Sequence, residues 1–144
     1  MHTQAIAQAV FPKKVWALIA LYFVASLAHF AHNAEYIAFY PNMPAWLTRE
    51  TAYVAWLVVT GVGLAGIAFS RIGWFSLGAL CLAAYGVLGL DGLGHYALAL
   101  CSEHTAAANF TIWFEVIAGA ALAVCCVEFV RQRLVARFRA MSDT

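Results

Sequence analysis

Four apolar segments, each about as long as a membrane-spanning helix, dominate this sequence. They cover residues 15–36, 51–70, 74–100 and 110–130. A helix needs about 20 residues to cross the roughly 30 Å hydrocarbon core of a bilayer, whereas spanning strands would give segments of about 10 residues with alternating hydrophobicity. Since 65% of the side chains are hydrophobic and only 10% are charged, we predict an all-α integral membrane protein, a four-helix bundle that forms one domain over residues 1–144.

Basic residues fall almost entirely on one side of such a bundle. The basic residues on that side are Lys13, Lys14, Arg71, Arg131, Arg133, Arg137 and Arg139. Only Arg49 lies on the other side. By the positive-inside rule, both termini are predicted to be cytoplasmic, and residues 41–50 and 101–108 to face outward. The simple topology suggests a bacterial inner membrane, and the basic segment 131–144 could rest on anionic lipid.

The first apolar segment has a second interpretation. Lys13 and Lys14, followed by an apolar run that ends at residues 26–28, also fit a cleavable signal peptide. Cleavage there would make His29 the mature N-terminus. Because the apolar pattern continues past His29 through Phe30 and Tyr36, we favour an uncleaved spanning helix.

Five ionisable residues lie inside the apolar segments: His29, His32, Asp91, His95 and Glu115. Charged groups inside a membrane are costly and usually mark function. Counting 1.5 Å per residue from the cytoplasmic end of each segment places all five about 21–32 Å across the membrane. Residues three or four apart project from one helix face, so His29 pairs with His32, and Asp91 pairs with His95. The sequence therefore predicts one polar centre in the outer third of the bundle.

Other residues extend or frame this centre. Polar or aromatic partners at helical spacing are Asn33 and Tyr36 in the first segment, Tyr53, Trp56 and Thr60 in the second, and Thr111 in the fourth. Glycines at 61, 63 and 66 and at 86, 89, 92 and 94 predict close helix packing, and those around Asp91 could loosen the third helix. The outward loop with Pro41 and Pro44 is predicted to cap the centre.

Three imidazoles and two carboxylates form a ligand set that suits a divalent metal ion. Neutral His nitrogen and carboxylate oxygen are preferred by zinc and non-haem iron, and helix bundles build such sites from several helices. We predict a metal centre formed by His29, His32 and His95 with Asp91 or Glu115. In a catalytic centre, the metal would activate water while Glu115 or Asp91 moved protons, and the substrate would be a lipid-like molecule from the outer leaflet.

Other interpretations of the same residues remain open. Without a metal, the histidines could face Glu115 or Asp91 as a proton relay in a transporter subunit or as an acid/base pair in an isomerase. Haem between His29 or His32 and His95 would leave the carboxylates unexplained. A hydrogen-bond network that only joins helices is a further alternative, and the glycine faces leave a homo-oligomer open. Glu103 and His104 are predicted to be solvated loop residues, and nothing indicates nucleic-acid binding.

Overall fold

A computed structural model describes residues 11–142, and helices account for every long element in this range. The α-helices are α1 Lys13–Glu35, α2 Arg49–Arg71, α3 Phe75–Leu88, α4 His95–Leu98 and α5 Ala106–Ser142, with 3₁₀ turns at Ile37–Phe39, Gly89–Gly94 and Cys101–Glu103. Four spans (α1, α2, the third span Phe75–Leu98 and α5) are long and apolar enough to cross a membrane. The predicted all-α, four-span bundle is therefore confirmed over the described residues. The main difference is that α5 continues through the basic segment.

The bundle is a ring in which each span packs against its neighbours in the chain, and α5 closes the ring against α1. A capping box begins α2: the Thr48 hydroxyl accepts from the Thr51 N–H (3.2 Å), and the Thr51 hydroxyl accepts from the Thr48 N–H (2.7 Å). The α2–α3 connection is short because Gly73 adopts a φ of 91°, a conformation that suits glycine. We call the end with this turn and the arginines the basic end. The opposite end, with residues 36–48 and 99–105, is the loop end.

An apolar core fills the half of the bundle nearest the basic end. Its buried members include Phe11, Val15, Ile19, Leu82, Leu122 and Cys126. Above them, the rings of Tyr22 and Tyr85 pack edge to face with centroids 4.4 Å apart. Because this core is continuous, the polar side chains of the loop end are separated from the basic end by packed hydrocarbon.

Glycine pairs bring the backbones of neighbouring spans together. A Cβ atom on Gly86 would overlap the carbonyl oxygen of Gly119 on α5, and a Cβ on Gly119 would overlap that of Gly86. Gly66 and Gly78 make the same kind of approach between α2 and α3. Small residues permit such contacts in membrane proteins. The predicted close packing is confirmed at Gly63, Gly66, Gly86 and Gly89, whereas a Cβ on Gly61 would have no neighbour within 4 Å.

The third span changes its geometry next to the predicted centre. Residues Gly89–Gly94 form a 3₁₀ turn between α3 and α4, as the glycine content suggested. A 3₁₀ helix has three residues per turn, so Asp91 and His95 do not share a face as they would in an α-helix. His95 is buried at 9% exposure, whereas Asp91 is exposed.

Candidate functional site

The centre of the candidate site is the side-chain amide of Asn33 on α1. Its Nδ2 lies 3.0 Å from His29 Nε2, one turn earlier on α1, and 3.2 Å from His95 Nε2 at the start of α4. An amide nitrogen only donates, so both Nε2 atoms accept, and each neutral imidazole carries its proton on Nδ1. For His29 this assignment fits a second contact, since its Nδ1 lies 3.4 Å from the Thr111 hydroxyl of α5.

Glu115 of α5 completes the centre. Its Oε2 lies 3.6 Å from His29 Nε2, and the side chains of both residues are almost fully buried, at 2% and 3% exposure. A carboxyl group and an imidazole at this distance, away from bulk water, are an acid and a base with few competing partners. The centre therefore combines groups from three spans: α1, the third span and α5.

Three buried polar atoms of this centre have no hydrogen-bond partner among the described residues: Asn33 Oδ1, His95 Nδ1 and Glu115 Oε1. Buried polar groups are nearly always paired, and each exception calls for an explanation. Here the three atoms belong to side chains that share one cavity wall. The centre thus offers both a donor, His95 Nδ1–H, and acceptors to a polar group.

The cavity beside the centre has a volume of about 360 Å³. Its polar wall consists of His29, Asn33, Asp91, His95 and Glu115. Its remaining wall is mainly apolar and includes Phe30, Met43, Pro44, Trp46, Leu47, Ala52, Ala55, Leu88 and Leu98. Because Trp46, Leu88 and Leu98 are also well exposed, the cavity opens to the surface of the bundle. Four of these residues lie in the 41–50 loop, where a cap was predicted.

The five residues from which the metal ligands were predicted do not all meet at one point. His29, His95 and Glu115 meet around Asn33, and Asp91 lines the same cavity from a more exposed position. His32, in contrast, lies outside the centre and contacts Tyr36 and Tyr40. Within residues 11–142, no group of three His, Cys, Asp or Glu side chains is arranged to hold a metal ion. Haem between His29 and His95 would have to displace the Asn33 amide that lies between their Nε2 atoms, so we do not propose it.

His32 belongs to an aromatic cluster above the centre. Its Nδ1 lies 2.7 Å from the Tyr40 hydroxyl, and its ring packs against Tyr36 at 4.8 Å. Burial raises the pKa of Tyr40 to about 12, so this hydroxyl is protonated at neutral pH and can donate to His32. The Tyr40 ring also lies 4.9 Å from that of His95. The cluster therefore covers the centre on the loop side.

His104 was not among the predicted site residues, and its prediction as a solvated loop residue was wrong. His104 is only 8% exposed, donates from Nδ1 to the Leu100 carbonyl oxygen (3.0 Å), and packs 6.0 Å from the rings of His95 and Tyr40. Hydrophobic periodicity does not extend into a connection that folds back over a bundle. Asn33 carried a detectable signal, its one-turn spacing from His29, but Asn33 was not included among the predicted site residues.

A polar clamp joins α1 and α2 beside the cavity. Arg49 Nη2 lies 2.8 Å from Glu35 Oε1, and the Tyr53 hydroxyl donates to the same oxygen at 2.8 Å. Tyr53, which was expected to face the centre, thus holds the loop end of α2 to α1. Trp56 joins the two helices one turn further in, where its indole N–H donates to the Ser26 hydroxyl (3.3 Å).

Comparison with known proteins gives no precedent for this arrangement. No protein-family model matches the sequence, and neither a curated protein nor a solved structure shows significant similarity to it. The function is therefore argued from the geometry of the site.

Proposed function

We propose that this protein binds a neutral amphipathic molecule from the membrane and transfers a proton at its polar end. The observation that carries the proposal is the buried contact between His29 Nε2 and Glu115 Oε2, 3.6 Å apart, on the wall of a mainly apolar cavity. Pockets for small molecules typically combine an apolar wall with a few convergent polar groups. The apolar wall suits a hydrocarbon chain, and the polar centre suits the oxygen of its head.

The charges of the site favour a neutral head group. Asp91 and Glu115 are the acidic side chains on the cavity wall, and a carboxylate or phosphate head would be repelled by them in a medium of low dielectric constant. An alcohol, aldehyde or ketone oxygen avoids this repulsion and can accept from the Nδ1–H of His95, which has no partner among the described residues. We therefore infer a lipid-like alcohol or carbonyl compound as the ligand class.

Proton transfer at a carbonyl compound would use the same groups in distinct roles. Once the Glu115 carboxyl group has passed its own proton to His29, the Glu115 carboxylate would remove a proton from the carbon beside the carbonyl, and the electron pair of the broken C–H bond would form the enolate. The Nδ1–H of His95 would stabilise the enolate oxygen, as preorganised donors do at developing negative charge. His29, which contacts Glu115 and is held by Asn33 and Thr111, would accept or return the proton.

The apolar core at the basic end supports a binding site rather than a path through the membrane. Buried side chains such as Val15, Ile19 and Leu122 fill the bundle below the centre, whereas a transporter needs access from both sides. With the termini in the cytoplasm, as the basic residues suggest, the cavity would face the outer leaflet. We further propose that this is the inner membrane of a bacterium.

Cavity-filling substitution tests ligand binding. Ala55 lines the cavity and Val58, less than one turn further along α2, does not; both are exposed. We expect Ala55→Trp to abolish photolabelling of the protein by a long-chain alcohol that carries a diazirine in its chain, and Val58→Trp to leave it unchanged. Mass spectrometry of labelled peptides gives the readout. Equal labelling of both variants, or labelling only at lipid-facing residues, would contradict the proposed site.

A bound divalent metal ion is the second candidate function. It is favoured by the convergence of His29 Nε2 and His95 Nε2 on one point, with Glu115 Oε2 close to His29. These three residues would hold the ion if the Asn33 amide moved aside, and zinc or iron would suit their nitrogen and oxygen donors. The ion would supply Lewis-acid chemistry to a bound oxygen.

Metal analysis separates the two candidates. Protein purified without chelator is expected to contain less than stoichiometric zinc or iron if the acid/base proposal holds. About one metal per chain, lost in the double variant His29→Ala with His95→Ala but kept in His32→Ala, would support the metal centre instead. The His32→Ala control is informative because His32 contacts Tyr40 and not the centre.

A further inference from the structure

A second cavity lies on the same helix–helix seam as the candidate site. It has a volume of about 280 Å³ and lies between α1 and α2 on the side of the basic end. Its lining residues are Trp16, Ile19, Ala20, Phe23, Val24, Thr60, Gly63, Leu64, Ile67 and Tyr85. The candidate-site cavity is bounded by the next turns of the same helices, through Phe30 of α1 and Ala55 of α2. The two cavities therefore follow one another along the seam.

One side chain, Trp56, bridges the seam between the two cavities. We call the candidate-site cavity the upper cavity and the second cavity the lower cavity. On α2, Trp56 follows Ala55, which lines the upper cavity, and precedes Thr60, which lines the lower cavity. Its indole N–H donates to Ser26 of α1 (3.3 Å), and its ring packs 5.6 Å from the ring of Phe23. On α1, Ser26 likewise lies between Val24, which lines the lower cavity, and His29, which lines the candidate-site cavity, while Phe23 is itself part of the wall of the lower cavity. Trp56 and Phe23 thus form a partition across the seam.

We propose that the α1–α2 seam binds the hydrocarbon tail of the ligand as a single linear chain, and that Trp56 sets the longest chain accepted. This inference rests on the proposed function, because the head must lie at the centre formed by His29, Asn33 and Glu115. From that centre, the upper cavity extends towards Trp56, and the lower, almost wholly apolar cavity continues beyond it. The end of a longer chain would occupy the lower cavity, but it can enter only when the Trp56 and Phe23 side chains do not block the seam.

A chain-length series tests the role of Trp56. Straight-chain primary alcohols of increasing length compete with the diazirine alcohol in lipid nanodiscs, each at the same mole fraction in the lipid. Because lipid tails are as apolar as the seam, competition should not depend on length until the chain reaches Trp56. Longer chains should then compete about 10- to 100-fold less well, since extra methylenes do not fit a filled site. In Trp56→Ala this loss should disappear.

Matched variants keep the test decisive. Leu57, on the lipid-facing side of α2, is 60% exposed. The Leu57→Ala variant should keep the wild-type cut-off, that is, the chain length above which alcohols compete less well. Phe23→Ala opens the partition from α1 and should abolish the cut-off, as Trp56→Ala does. This variant provides a second test if Trp56→Ala does not fold. Adding Ala20→Phe to Trp56→Ala fills the lower cavity and should restore the cut-off.

The outcomes distinguish this inference from the proposed function. A cut-off that is the same in wild type and in both partition variants would overturn the role of Trp56 while leaving ligand binding intact. Competition by all chain lengths in wild type would also overturn it. Failure of every alcohol to compete would instead overturn the proposed function on which the inference rests.

Discussion

Replacing Glu115 with Gln should slow the exchange of the α-hydrogens of a bound long-chain methyl ketone by about 10²–10⁴-fold, the usual contribution of a positioned general base. Glutamine keeps the size of the side chain but cannot take up a proton at neutral pH. Exchange is measured as deuterium uptake by mass spectrometry, with the protein in nanodiscs in heavy water. Glu128→Gln is the matched control, because Glu128 lies on the same helix with its side chain 37% exposed and pairs with Arg131 far from the cavity.

Two results would count against this role of Glu115. If wild-type protein exchanges the ketone no faster than empty nanodiscs, the proposed proton transfer does not occur with this probe class. If the Glu115→Gln and Glu128→Gln variants both match wild type, the exchange takes place elsewhere in the protein. His29→Gln should resemble Glu115→Gln, because the two side chains are in direct contact.

Adding a single methyl group at Gly86 should be the most destabilising small change in the bundle. The Cβ of Gly86→Ala would overlap the Gly119 backbone, and a backbone atom cannot move aside as a side chain can. We expect a loss of about 1–3 kcal/mol or more in the free energy of unfolding, measured by thermal or denaturant unfolding in detergent. Gly119→Ala should behave in the same way.

Gly61→Ala is the control, because this substitution should not lower the free energy of unfolding. A Cβ at Gly61 has no neighbour within 4 Å, so Gly61→Ala should be neutral or should stabilise the protein by up to about 1 kcal/mol through its higher helix propensity. Equal stability of the Gly61→Ala and Gly86→Ala variants would show that α3 and α5 do not approach each other as closely as described.

The spans were predictable from the sequence because their length and apolar composition are one-dimensional properties. Residue counting also gave the depth of His29, His95 and Glu115 well enough to expect them together. Counting does not give the direction of a side chain when the helix changes its repeat. With the 3₁₀ turn at Gly89–Gly94, Asp91 is exposed and His95 is buried, although both line the cavity.

The cavity and its cover depend on three-dimensional packing and were only partly predictable. The prolines of the outward loop indicated a cap, and Met43, Pro44, Trp46 and Leu47 do line the cavity. His104 offered no comparable signal, since its burial results from a loop that folds over Tyr40 and His95. His32 lies one turn before Tyr36, the residue that follows α1, and its hydrogen bond to Tyr40 could not be derived from spacing.

The infrared spectrum of a long-chain methyl ketone labelled with carbon-13 at its carbonyl tests the central claim most directly. If the ketone oxygen accepts from His95 in the polar centre, the carbonyl band of the bound ketone should lie at lower wavenumber than in lipid alone. The shifted band should vanish in Ala55→Trp, persist in Val58→Trp and weaken in His95→Phe. A carbonyl band in wild-type protein that matches the band in empty nanodiscs would contradict binding of the polar end at this centre.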